Sequence, residues 1–194
     1  MTTTIDTILG RASAARLGSP APTRAQLEII LSAGLNAPDH GRLRPWRYVV
    51  LQGDGLDLLG RAMSELKQRQ TPEASAEVLD AVRMKARRAP VIVVAAAHLV
   101  KGHRKVPEIE QIIAVGAAVE NMVLAAHSLG IGTMWKTGDP AYDSQVKQVL
   151  GLDPEDQIVA FLYLGTTLTS GSPQHADPSA HVRWLGAPAP GDVS

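Results

Sequence analysis

A chain of 194 residues that is 45% hydrophobic has enough apolar material for one globular domain, and with a single Phe and 4% aromatics its core must come from Leu, Val, Ile, Ala and Met. Nineteen basic residues balance nineteen acidic ones, so no global charge favours nucleic acid or an anionic membrane. The absence of cysteine excludes disulfides, thiolate metal ligands and a cysteine nucleophile.

The N-terminal residues carry no basic segment followed by an apolar run, so no secretory leader is expected and a cytoplasmic protein is. From about Thr4 to Leu9, Ile5, Ile8 and Leu9 share one helical face, and Gly10 releases the chain into the short basic run Arg11 to Leu17. Pro20 and Pro22 stop regular structure. Thr23 and Gln26 form the capping-box pattern of a helix whose buried face is Leu27, Ile30, Leu31, Gly34 and Leu35. That helix ends at or before Ala37, because a residue preceding proline is pushed out of the α region.

Ala37 to Trp46 crowds Pro38, His40, Arg42, Arg44, Pro45 and Trp46 between a helix and a strand. Both ends are stiffened by proline, a setting in which a loop can carry function. Tyr48 to Leu51 is a strand closed by the turn signal Gly53-Asp54-Gly55. Leu56, Leu59, Met63 and Leu66 mark an amphipathic helix, Thr71-Pro72 is the expected start of another, and Arg87-Arg88 lie at its basic C-terminal end. Pro90 to Ala97 reads as a fully buried strand, followed by a polar, basic loop from His98 to Lys105.

Pro107 opens a helix to about Leu129 that is apolar nearly all round and is expected to be buried, packed on the sheet or on a partner subunit. Glu110, Gln111, Glu120, Asn121 and His127 argue against a membrane span. Thr133 to Trp135 is a short strand, Asp139-Pro140 is expected to cap a helix ending near Leu150-Gly151, and Ile158 to Leu164 is the last core strand. Beyond Ser170 the chain is rich in Pro, Gly, Ser, His and Asp, with Val182, Trp184 and Leu185 available for burial. No internal repeat or second domain is apparent.

The Rossmann, P-loop, G-x-S-x-G and H-E-x-x-H signatures are all absent, and the six histidines lack zinc-site spacing, so no bound metal is expected. What stands out is a constellation: Arg11 and Ser13, Asn36 and His40, and Trp135-Lys136-Thr137. Taken singly, each has a structural explanation as a solvated charge, a cap or a strand end.

Five ordered pieces, namely Arg11 to Leu17, Ala37-Pro38-Asp39-His40 through Pro45-Trp46, Lys105-Val106-Pro107 with Glu110-Gln111, Trp135 to Gly138, and Phe161 to Thr166, resemble the nitroreductase family of flavin enzymes, most closely its small NAD(P)H nitroreductases of enterobacterial type. The resemblance covers most of the chain. It implies one α+β domain over residues 1–194 with a central mixed sheet flanked by helices, an intertwined homodimer with FMN at the interface, and a tail from residue 170 packed on the partner subunit. Arg11, Ala12, Ser13, Trp135, Lys136 and Thr137 would surround the flavin, with Asn36 and His40 supplied by the same or the other subunit. A phosphate with close to two negative charges would be neutralised by Arg11 and Lys136 and bonded by Ser13 and Thr137 hydroxyls. Arg16 is a candidate for the flavin N1 and O2 edge.

The implied activity takes hydride from NADH or NADPH at the flavin and reduces a nitroaromatic or quinone-type acceptor by a ping-pong scheme, with no side chain acting as nucleophile. The alternatives are a flavin-storing or flavin-sensing protein with little turnover, a reductive dehalogenase-type or flavin-fragmenting enzyme, or a non-flavin domain that interacts through Trp184. Two departures bear on this. Ala12 and Lys136 stand where family members commonly carry arginine, and the wider family tends to carry Ser, Asn and Gln where this loop has His40, Arg42 and Arg44. Those arginines are expected to favour an anionic group such as the donor's phosphates.

Overall fold

The computed structural model describes residues 3–173 and 176–186. Its centre is a five-stranded sheet of β1 (Arg16–Gly18), β2 (Trp46–Gln52), β3 (Val91–Ala97), β4 (Gly132–Lys136) and β5 (Gln157–Thr169). The order is β1-β5-β3-β2, with β4 also paired to β5. Six helices flank it: α1 (Thr4–Gly10), α2 (Arg24–Leu35), α3 (Asp54–Gln70), α4 (Ala76–Arg83), α5 (Glu108–Ser128) and α6 (Ser144–Val149). The α+β class is the one the resemblance implies. The sheet, however, is antiparallel at every pairing among the described residues, so the mixed character expected of it is not present within one chain.

β3 shows why the sheet has two cores. Every residue from Val91 to Ala97 is buried, and alternation sends Ile92, Val94 and Ala96 to one face and Val91, Val93 and Ala95 to the other. The first face meets Leu56, Leu59 and Ala62 of α3 and Val146 beside α6's end at Leu150. The second meets Leu27 and Ile30 of α2 and Val115, Val119, Met122 and Val123 of α5. Helices α2 and α5 approach so closely that a Cβ on Gly34 would lie 2.9 Å from Met122 Cγ. The side-chain amide of Asn121 in α5 also donates to Ala33 O of α2 at 3.2 Å.

Several local expectations hold. Thr23 and Gln26 form the full capping box, with Gln26 Oε1 accepting the Thr23 N–H at 2.9 Å. Gly151, at φ +68°, follows the end of α6. Others need correction. Thr71 ends α3 instead of starting α4: its N–H is donated back to Lys67 O at 2.8 Å, and Ser75 is the residue that caps α4. Asp139 lies inside a short 3₁₀ turn, and the cap of α6 is Asp143, whose carboxylate accepts the Val146 N–H at 2.9 Å. Residues 16–18, read as part of a small basic segment, form an edge strand on β5.

Within one chain α5 is covered along one face. Its inner face is fully buried, but Ile109 and Ile113 are 59% and 61% exposed, and Leu35, assigned to the buried face of α2, is 50% exposed. One chain supplies the sheet and α2 to the inner side of α5 and, among the described residues, leaves Ile109 and Ile113 uncovered. The helix is long and apolar enough to cross a membrane by composition, yet its inner face is occupied by the sheet. In the tail, Trp184 is 80% exposed, and Val182 and Leu185 are also exposed. The expected tail packing also involves residues 174–175 and 187–194, which lie outside the described residues.

Candidate functional site

The run after Gly10 is held between two strands. Ala14 N–H donates to Thr133 O of β4 and Ala15 N–H to Thr169 O of β5, each at 2.9 Å. These bonds place the first segment of the constellation beside the strand that carries the third. Ala12 and Ala14 thereby line a cavity of about 260 Å³ with Gly130 to Thr133, Ser170 and Gly171. The chain passes Ser13 so closely there that a Cβ on Gly171 would sit 2.4 Å from the Ser13 carbonyl oxygen. Ser13 itself is exposed. Arg11 caps the end of α1 and turns its Nε to Glu120 Oε1 of α5, 3.6 Å away, so its charge is already shared.

At the end of β4, alternation separates neighbouring side chains. The Trp135 indole N–H donates to Val159 O at 3.1 Å, which fixes the ring on the sheet. Lys136 points instead into two adjoining cavities. One, of about 600 Å³, lies between Arg16 and Leu17 of β1, Arg87 and Arg88, and Met134. The other, of about 400 Å³, has apolar walls from Met63, Leu66, Val82 and Pro140, basic ones from Lys67, Lys85 and Arg88, and includes Thr137 and Tyr163. Arg87 is paired with Asp57. Arg16, Lys85, Arg88 and Lys136 have no carboxylate partner among the described residues. Burial pushes the Tyr163 phenol above its ordinary pKa while Arg88 pulls the other way, so the hydroxyl keeps its proton at neutral pH and can donate.

Asn36 and His40 are placed elsewhere. Asn36 closes α2, donating Nδ2–H to Ser32 O at 2.8 Å. His40 stands in a 3₁₀ turn with Nδ1 2.5 Å from Glu110 Oε2 of α5. Neither shares a hydrogen bond or ion pair with the Arg11 or Trp135 segments among the described residues. The loop that follows His40 is forced: Gly41, Arg42 and Arg44 all have positive φ, at +74°, +53° and +51°. For the two arginines this conformation costs roughly 1–2 kcal/mol each. It is held by Asp39, whose Oδ2 accepts the Arg44 N–H at 2.6 Å, and by His98 N–H donating to Pro45 O at 2.6 Å.

The structure therefore sets the segment of Ala12 and Ser13 beside β4 through one strand contact, with Ala12 lining one cavity and Lys136 and Thr137 others, and leaves Asn36 and His40 apart within a single chain. Sequence reasoning missed Lys85, Arg88 and Tyr163. Arg87-Arg88 was legible only as a helix-end charge pair, and nothing local in the sequence shows that these side chains face β4. Among the described residues no three His, Asp or Glu side chains gather as metal ligands.

The model of the Nitroreductase family matches residues 8–166. An Escherichia coli (strain K12) protein named "Putative NAD(P)H nitroreductase YdjA" is 38% identical over 184 residues, covering 93% of this chain and 98% of its own. A Haemophilus influenzae protein named "Putative NAD(P)H nitroreductase" is 31% identical over 160 residues, covering 80% and 84%. Among solved structures, a nitroreductase-like family protein from Bacillus cereus superposes with a TM-score of 0.78 at 20% identity, covering 96% of this chain and 98% of that one. A nitroreductase structure from Desulfovibrio desulfuricans, described as a complex with FMN, gives 0.75 at 24% identity, covering 97% and 99%. With a family match across most of its length and a relative above 30% identity covered almost end to end, this chain belongs to the nitroreductase family.

Proposed function

We propose that the protein is a cytoplasmic, homodimeric FMN-dependent oxidoreductase that takes hydride from NADH or NADPH and reduces a small organic acceptor of nitroaromatic or quinone type in a ping-pong scheme. The observation that carries this reading is the bond from Ala14 N–H to Thr133 O, which sets Arg11–Ser13 against the strand leading to Trp135–Thr137. The donor set suits a flavin phosphate in its chemistry. Among the described residues Arg16 and Lys136 are cations without carboxylate partners, and Ser13 and Thr137 bring exposed hydroxyls. FMN, when bound, supplies the hydride-accepting and hydride-donating chemistry.

The chain's own residues bind, orient and tune. Arg11 to Ser13 and Trp135 to Thr137 hold the cofactor, Lys136 with Arg16 offsets negative charge, and the anchored Trp135 ring keeps the strand end in place. Asn36 and His40 complete the site from the loop after α2 of either subunit. The dimer is supported by the uncovered apolar residues Ile5, Ile8 and Leu9 of α1 and Ile109 and Ile113 of α5, and the exposed Trp184 is a natural contact for a partner. The forced loop carries Arg42 and Arg44 toward an approaching anion.

The test is the visible spectrum of the purified protein. It is expected to show flavin bands that bleach when NADPH or NADH is added without oxygen and return when a nitroaromatic or quinone is supplied. Yellow protein that neither bleaches nor turns over would make it a flavin-storing protein. Colourless protein that takes up no FMN would remove the flavin reading altogether.

A further inference from the structure

One ordered piece of the sequence, Lys105 to Gln111, is left without a task by the flavin reading. Glu110 and Gln111 stand in the first turns of α5, where adjacent side chains point about 100° apart and therefore meet different surroundings. Gln111 is buried and gives its whole amide to the loop before the helix: Oε1 accepts the Val100 N–H at 2.8 Å, and Nε2 donates to Val100 O at 3.1 Å and to Val106 O at 3.3 Å. This locks the start of α5 against that loop. Glu110 then stands at the rim, with Oε2 2.5 Å from His40 Nδ1. The loop of His40 is pressed onto the same segment, since a Cβ on Gly41 would lie 3.1 Å from Val106 Cγ2.

We propose that Glu110 is a positioning residue, which holds the His40 ring by Nδ1 and so makes Nε2 the atom that His40 offers to FMN; the proposal rests on the flavin reading and on the place given there to His40. A carboxylate can only accept a hydrogen bond, so Nδ1 carries the proton of this contact. The bond made by one ring nitrogen sets the role of the other. Nε2 has no protein partner among the described residues and the His40 side chain is 56% exposed, so the ring can meet a ligand without breaking its tie to Glu110. A ring already oriented loses less freedom when it engages that ligand. An acid in the first turn also suits the helix dipole, but Glu108 meets that need equally and has no ion-pair partner among the described residues. What sets Glu110 apart is His40.

The experiment is a double-mutant cycle on FMN affinity, measured by serial dilution of the flavin-loaded protein and recovery of flavin fluorescence, together with nitrogen NMR of the labelled His40 ring. Glu110 is 42% exposed, so its replacement leaves no buried cavity. Glu110→Ala and His40→Ala are each expected to weaken FMN about five- to tenfold, and the double variant no further than His40→Ala alone. Glu110→Gln keeps an accepting oxygen and is expected to stay within about twofold of the parent. At about pH 8.5, where an imidazole is ordinarily neutral, the ring proton is expected on Nδ1 in the parent and in Glu110→Gln, and on Nε2 in Glu110→Ala. Additive losses in the cycle would overturn the proposal, as would a Glu110→Ala protein that binds FMN like the parent or keeps its ring proton on Nδ1. Parent protein that takes up no FMN would instead sink the flavin reading, and the role of Glu110 with it.

Discussion

The two faces of the sheet are built from similar aliphatic cores and finished in opposite ways. On the α3 face, the rim outside the core is closed by polar chemistry within one chain: Arg87 with Asp57, and Arg69 with Asp143 at 2.7 Å and with Gln145. What it leaves open is a cleft of cations. On the α5 face the rim is apolar, with Ile5, Ile8, Leu9, Ile29, Leu35, Ile109 and Ile113 uncovered. Polar groups in water cost little, whereas exposed large apolar side chains gathered on one side of a molecule favour burial against a partner. The α3 face is therefore finished by polar pairs within one chain, while the α5 face keeps the apolar rim on which the proposed dimer rests.

The strongest way to break that comparison is to charge the apolar rim. Ile109→Glu combined with Ile113→Glu is expected to convert dimer to monomer in sedimentation and to release flavin. Each isoleucine contributes about 1.5–3 kcal/mol when fully buried, counted on both subunits. A double variant that stays dimeric would place the interface elsewhere.

A smaller effect is expected inside the α5 face. The Tyr48 hydroxyl is buried with no hydrogen-bond partner among the described residues, beside Gly34, where a Cβ would lie 3.0 Å from it. Burial pushes this phenol from 10.0 up to about 12. A raised pKa contributes stability fully below pH 10, and this is lost as pH rises toward 12. Tyr48→Phe removes an unsatisfied group, so stability at neutral pH is expected to hold or rise by about 1 kcal/mol, with a shallower alkaline loss. A marked loss of stability in denaturant titrations would show that the hydroxyl has a partner after all.

The smallest effect belongs to the polar rim of the α3 face. Burial pushes the Asp143 carboxyl upward, but the Val146 N–H and Arg69 together hold it below its ordinary 3.8. That stabilisation is present above pH 3.8 and is lost as pH falls through the lowered value. Asp143→Ala is expected to cost about 1 kcal/mol, the usual value of an N-cap, and to flatten stability against pH below 4. An unchanged acid limb would mean that Asp143 contributes nothing at this rim.

How far the sequence was legible depended on the range of the interaction. Thr23 with Gln26, the Val91–Ala97 run and the helix after Pro107 were readable because caps and periodicity act within a few residues. Thr71 and Asp139 misled because each has cap chemistry, and only the competing bond to Lys67 O, or the later Asp143, shows which residue is used. Among the candidate site residues, Ser13 and Lys136 were visible as motif positions. Arg88 was not, since its place in the cavity depends on the last turn before β3 lying near β4 and β1.

By itself the sequence determined the family, the α+β class, the buried strands and the segments around which a flavin site is expected, because those are carried by composition, periodicity and ordered motifs. Only the tertiary structure decided that the described strands of one chain pair antiparallel, that α5 is buried on one face while Ile109 and Ile113 stay exposed, and that Arg16, Lys85, Arg88 and Lys136, from three separate segments and without carboxylate partners among the described residues, line two adjoining cavities. The physical reason is that burial and charge pairing are sums over neighbours from distant parts of the chain, and no local window contains those neighbours.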